Sequence, residues 1–394
     1  MSTLTIYCGG TRQERSAHHT LLANLDQTGA QRCTLNIELL QFLLARNEGI
    51  ELSHHYTNPE EMALSQTSDG DSDSDDGFVA IASRMPAAPP MPAASAVLPA
   101  IAGLQYNLFL DGVGSRLPQP GLYNCWTPGK FDPRDVTQQA RKPKFSLFSA
   151  AIFGTGWDAN VIYAINIIKA FYRPETGRAL PSKINIVGWS RGGITSVMLA
   201  NALAQDPHLR TIEVNIFAID PVNGPFGFVP PHYTLPPNVK NFKAIIVRYS
   251  DKPSFSPLHR SKLNIIAPDV TNVEYQLMHG IHGTPMYSLL IIKPGTTGTI
   301  IIRDPASALC MSMVYEFLTT NGTRFEERHT EHILLDNSEK LAYYSEILRK
   351  ERRECFYSKQ GRWGMRRSLK DYVTAANREY VNEEHFQIAT KMGL

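Results

Sequence analysis

Ile184-Asn185-Ile186-Val187-Gly188-Trp189-Ser190-Arg191-Gly192-Gly193, continued by the helix-forming run Ile194 to Leu203, is the stretch that decides the fold. Its first half is a short apolar run rich in β-branched residues, which reads as a buried strand. Its second half has the length and Ala/Leu content of a helix. Between them Gly188, Ser190 and Gly192 form G-x-S-x-G, the pattern of a serine on a sharp strand-to-helix turn. Such a turn strains the serine backbone and leaves room only for small residues two places to either side. The hydroxyl then stands above the sheet edge, at the positive end of the following helix. Three fixed letters recur by chance in many chains; the strand before, the glycine pair and the helix after give them their meaning.

Outward from this turn, apolar strands are predicted over Leu4 to Cys8, Leu104 to Leu110, Thr211 to Asp220 and Phe242 to Asp251. A helix is predicted over Asp158 to Tyr172, with Val161, Ile165, Ile168 and Tyr172 on one face. Apolar residues at helical spacing predict another within Cys33 to Leu44, and the segment from Gly49 to Thr57 reads as extended. Strands alternating with helices indicate an α/β fold with a mostly parallel central sheet. Ligands of such sheets bind just past the carboxyl ends of the strands, which singles out Asp111, Ser190, Asp220 and Asp251.

Composition divides the chain. Residues 65–100 are first acidic and Ser-rich, then Pro/Ala-rich, and read as a flexible insertion without core residues. The spacing of Asp71, Asp73 and Asp75 suggests a calcium loop, but the glycine comes one place late, at Gly77, and no glutamate closes it. We therefore read residues 1–64 as the N-terminal part of the α/β core, 101–322 as the catalytic core and 323–394 as a helical, basic C-terminal extension, with 116–148 as a long loop or lid.

The 394 residues carry 43% hydrophobic and 19% charged side chains, a composition that excludes overall disorder. Net charge is +2, too balanced to indicate a polyanionic partner. The cysteines, at positions 8, 33, 125, 310 and 355, form no C-x-x-C pair, so neither a disulfide framework nor a cysteine zinc site is expected. No metal and no cofactor is expected. The N-terminus lacks the pattern of a cleaved signal peptide, and no apolar run is long enough for a spanning helix.

A nucleophilic serine needs a base and a group to orient it, and in this architecture the order is serine, acid, histidine. Eight histidines follow Ser190. His282 is favoured because it stands in a Gly-flanked loop after a strand-like stretch, Val273 to Pro285; His279, three residues earlier, is the alternative base. For the acid, Asp220 ends the strand after the nucleophile helix and Asp251 ends the next one. The backbone N–H of Arg191 and that of Val113, after Gly112, are the expected oxyanion donors, with Asp111 and Gly112 shaping the loop behind them.

Gly188 to Gly193, with Phe109 to Ser115, Phe153 to Val161, Ala218 to Gly224 and His279 to Gly283 in this order, resembles the bacterial α/β-hydrolase effectors related to type VI secretion lipases. The resemblance spans about Leu104 to Thr284. It implies an α/β-hydrolase fold and assigns the triad to Ser190, Asp220 and His282. It further implies lipase or phospholipase activity by a protein made in the bacterial cytoplasm and exported without a cleaved signal peptide. Gly193 replaces the alanine common in that group.

From Arg349 to Lys370, nine Lys/Arg face Glu351 and Glu354, with Phe356, Tyr357 and Trp363 interleaved. This pattern suits either an anionic membrane surface or a solvated, salt-bridged helix pair. No nucleic-acid module accompanies it. Two functions of different class follow: a serine hydrolase of lipid esters, and a membrane- or protein-binding effector that keeps the fold without turnover.

Overall fold

The computed structural model describes residues 2–10, 33–52, 105–113, 157–171, 180–223, 228–247, 249–250, 257–258, 262–278, 282–292, 299–302 and 305–326, with short pieces between 333 and 346 and at 365–366, 374–375 and 378–379. The strands are β1 (Thr3–Cys8), β2 (Cys33–Glu38), β3 (Ile50–Glu51), β4 (Gln105–Leu110), β5 (Lys183–Trp189), β6 (Glu213–Ile219), β7 (Thr234–Leu235), β8 (Val239–Val247), β9 (Tyr249–Ser250), β10 (Asn264–Ile265), β11 (Asn272–Met278), β12 (Tyr287–Ile292), β13 (Thr299–Ile302), β14 (Met365–Arg366), β15 (Thr374–Ala375) and β16 (Arg378–Glu379). The helices are α1 (Leu39–Arg46), α2 (Trp157–Phe171), α3 (Arg191–Gln205), α4 (Pro230–Tyr233) and α5 (Pro305–Thr320).

Seven strands form one sheet in the order β11-β8-β6-β5-β1-β4-β3, and every pairing in it is parallel. This is the α/β architecture with a parallel central sheet that the strand–helix alternation predicts. Parallel strands buried on both faces need apolar residues at nearly every position. The side chains of β5 and β6 accordingly alternate between two cores. Val187, Trp189, Phe217 and Ile219 join the cluster built with α1 and α5. Ile184, Ile186, Ile216 and Ala218 join the one built with α2 and α3. Helix α3 returns the chain from β5 to its neighbour β6. It ends where the Asp206 N–H bonds the Leu203 carbonyl and the Asp206 carboxylate accepts the His208 N–H.

Two expectations are corrected. The run Cys33 to Leu44 is not one helix: Cys33–Glu38 is a strand and the helix starts at Leu39. β2 pairs antiparallel with β12, which also pairs antiparallel with β13. Thr34 and Ile37 suit a pleated strand, and the distant partner decides against local helical spacing. The C-terminal extension is also not uniformly helical. Helical residues occur between 338 and 346, but β14 pairs with β9 and β15 with β16. Thr323 and Phe325 are buried, Phe325, Ile333 and Leu335 in the same core as α5. The expected insertion at 65–100 and lid at 116–148 lie outside the described residues, as does most of the basic stretch 349–370.

Candidate active site

The strand-to-helix turn has the geometry its sequence requires. Ser190 has φ 57° and ψ −124°, a conformation that costs a non-glycine residue about 1–3 kcal/mol. The turn is closed by hydrogen bonds from the Ser190 N–H to the Ile219 carbonyl, and to the Ser190 carbonyl from the N–H groups of Gly193 and Val222. The flanking glycines are obligatory for space. A Cβ on Gly188 would lie 2.3 Å from the Gly192 carbonyl oxygen, and one on Gly192 only 2.1 Å from that of Cys8. Gly193 has Pro221 against it, where a Cβ would come within 2.8 Å.

Asp220 immediately follows β6, the strand beside β5, and also has a positive φ of 40°. It is fully buried. Its N–H donates to the Ile245 carbonyl at 2.7 Å, and its Oδ1 accepts the Val247 N–H at 3.2 Å. Oδ2 lies 2.6 Å from His282 Nδ1, and His282 Nε2 lies 2.8 Å from Ser190 Oγ. An ionised carboxylate only accepts, so Nδ1 carries the ring proton and Nε2 is left to accept from the Ser190 hydroxyl. Ser190, His282 and Asp220 thus form one continuous buried chain of hydrogen bonds, with 92 and 62 residues of separation in sequence. Asp251 and His279, the alternative acid and base, lie outside the described residues.

Arg191 opens α3, so its backbone N–H stands at the helix end beside Ser190. Its guanidinium is buried over the Trp157 ring, 5.8 Å from the centroid, and burial lowers its pKa. Trp157 in turn meets His232 edge-on at 4.9 Å, and burial lowers the His232 pKa to about 4. Asp111, Gly112 and Val113 follow β4, and the Asp111 carbonyl accepts from Asn160 Nδ2 at 2.7 Å. The main chain of the β4 turn is therefore tied to a side chain of α2.

Three contributors were missed by reading the sequence. The turn after β1 touches the Ser190 turn, since the Cys8 and Gly9 carbonyls line the space beside Gly192. The strand order explains this, because β1 lies between β4 and β5. The Gly9-Gly10 pair after an apolar strand was the available signal. Asn160 anchors the β4 turn, and nothing in a helical asparagine announces such a role. Trp189 packs on His282, with centroids 5.2 Å apart, and its indole N–H donates to the His282 carbonyl at 3.2 Å.

Among the described residues no cluster of three or more His, Cys, Asp or Glu could hold a metal ion, and no helix is long and apolar enough to cross a membrane. No family profile and no curated protein matches the chain. Solved structures similar to the chain include two at 12% identity. One is an uncharacterized protein from Pseudomonas aeruginosa, with TM-score 0.40, covering 86% of this chain and 48% of the other. The second is the Tle1 effector bound to the VgrG spike from the type 6 secretion system, with TM-score 0.32, covering 73% of this chain and 51% of the other. The chain spans about half the length of each.

Proposed function

We propose that this chain is a serine hydrolase that cleaves carboxylic esters through an acyl-enzyme, with Ser190 as nucleophile, His282 as general base and Asp220 as its orienting acid. The observation that carries the reading is the buried hydrogen-bond chain from Ser190 Oγ through His282 to Asp220. It is supported by the strained backbone at the serine, a cost that a merely structural turn has no reason to bear.

The chemistry follows from the roles. Ser190 Oγ attacks the ester carbonyl carbon while His282 Nε2 takes its proton, and the Asp220 carboxylate stabilises the imidazolium. The oxyanion of the tetrahedral intermediate is held by the Arg191 N–H together with the Val113 N–H of the Gly-containing turn after β4. Collapse breaks the bond to the alcohol, which leaves with the proton from Nε2. Water, deprotonated by the same nitrogen, then releases the acid and restores Ser190.

The substrate class we propose is a lipid or phospholipid ester. The blocks of sequence that resemble lipase effectors support it, and so does the basic, aromatic stretch 349–370, which suits an anionic bilayer. Export to a target cell belongs to the same reading. The test uses the purified full chain with a fluorophosphonate probe and phospholipid vesicles. Labelling of wild type but not Ser190→Ala, with release of fatty acid by wild type alone, is expected. Equal labelling of both would refute Ser190 as the nucleophile. Binding to vesicles without labelling or release would leave the non-catalytic effector instead.

A further inference from the structure

Trp189 stands between Gly188 and Ser190 and is nine-tenths buried in the cluster on the α1 and α5 side of the sheet. Packing alone would explain a large apolar side chain there. It does not explain why one side chain grips both the backbone and the ring of His282. The indole N–H donates to the His282 carbonyl at 3.2 Å, and the indole lies stacked on the imidazole with an interplanar angle of 28°.

The two bonds of the imidazole, Nδ1 to Asp220 and Nε2 to Ser190, fix the ring along the line joining its nitrogens but do not prevent tilting about that line. A flat aromatic face against the ring does. His282 also lies in the loop between β11 and β12, and a hydrogen bond to its carbonyl ties this loop to the end of the nucleophile strand. The indole is itself confined. A Cβ on Gly10 would lie 2.4 Å from Trp189 Cε3 and 2.9 Å from Cζ3, so the β1 turn presses on its benzenoid edge.

We infer that Trp189 is a positioning residue: it holds the His282 imidazole in the plane that joins Ser190 to Asp220, and Gly10 keeps the indole in place. This rests on the reading of Ser190, His282 and Asp220 as the catalytic chain. A small misplacement of a catalytic group costs on the order of 10²-fold in rate, which sets the scale of the effect.

The test compares wild type, Trp189→Phe, Trp189→Leu, Gly10→Ala and Ser190→Ala as full chains. It measures kcat and KM on p-nitrophenyl butyrate, melting temperature, and the His282 tautomer by NMR of protein with nitrogen-15-labelled histidine, assigned through His282→Gln. Trp189→Phe keeps a ring over the imidazole and loses the N–H; kcat should fall about 10-fold. Trp189→Leu loses both and should fall about 10²-fold, with KM within about twofold and mixed His282 tautomers. Gly10→Ala, which leaves Trp189 unmutated but drives a methyl against its ring, should fall between them. A kcat within twofold of wild type in Trp189→Leu overturns the proposal. So does a loss that only follows the unfolded fraction with the His282 spectrum unchanged. Should Trp189→Leu not fold, Trp189→Phe and Gly10→Ala decide by the same criteria. Hydrolysis by Ser190→Ala as fast as wild type would overturn the esterase reading; the positioning role is then decided by the spectrum, an unaltered His282 tautomer in the variants overturning it and a redistributed one supporting it.

Discussion

Replacing Asp220 by asparagine tests the site at its least accessible point. The carboxylate is fully buried, with Oδ2 on His282 Nδ1 and Oδ1 accepting the Val247 N–H. Asparagine has one acceptor where aspartate has two. If its oxygen faces Nδ1–H, the NH₂ meets the Val247 N–H, donor against donor, at a fully buried position. That mismatch costs about 1–3 kcal/mol. The amide therefore turns so that its oxygen takes the Val247 N–H and its NH₂ donates to Nδ1, which moves the ring proton to Nε2. In that tautomer His282 cannot accept the Ser190 proton. The mismatch lowers the productive tautomer about 10- to 10²-fold, and the lost charge stabilisation of the imidazolium supplies the rest of a decrease on the order of 10⁴ in kcat, the scale of a wrong-tautomer triad. The assay is kcat on a soluble ester, with Asp251→Asn made in parallel and melting temperatures as the fold control. A folded Asp220→Asn within tenfold of wild type refutes the reasoning. If Asp251→Asn is the crippled enzyme, the acid is misassigned.

Three further outcomes are expected. Gly192→Ala should give little soluble protein, since its Cβ would meet the Cys8 carbonyl oxygen at 2.1 Å and backbone on both sides has nowhere to go; a soluble variant with wild-type melting temperature would show that the β1 turn yields. Asn215→Leu should destabilise by about 2–4 kcal/mol, read by urea unfolding, because it strips Asn185 Oδ1 and Asn241 Nδ2 of a partner inside the sheet; a loss under 0.5 kcal/mol would contradict this. His232, with its pKa lowered to about 4 by burial, takes up its proton more readily when unfolded. Its contribution to stability is therefore complete above about pH 6.5 and is lost as pH falls toward 4. The melting temperature of His232→Phe should fall less than that of wild type across this window, and parallel curves would refute the assignment.

Ser190, His282 and the strand ends were legible because their signals are local: a glycine-framed serine, a Gly-flanked histidine after a strand, aspartates closing apolar runs. The choice between Asp220 and Asp251 was not, since both stand at strand ends. What holds Asp220 in place is its bonding to Ile245 and Val247 of the neighbouring β8, a relation between strands rather than within one. The same blindness explains Cys33–Glu38, whose partner lies at Tyr287–Ile292. It also explains Trp189, which reads as one more apolar residue until the chain folds back to bring His282 against it.

One polar row in the sheet was equally hidden and bears on the site. Asn107, Thr5, Asn185, Asn215 and Asn241 stand side by side on adjacent strands. Asn241 donates to Asn215, Asn215 to Asn185, and Asn185 to the Asn321 carbonyl and Thr323 hydroxyl just past α5. Strands of isoleucine and valine buried on both faces fit nearly as well after a slip of two residues, because the same faces stay apolar. A row of asparagines bonded to one another does not, since a slipped strand would bury several unpaired amides at once. Asn185 lies five residues before Ser190, and Asn215 five before Asp220. Locking those two asparagines level therefore locks Ser190 and Asp220 at the same height on adjacent strands, so that an imidazole arriving from the β11–β12 loop can reach both.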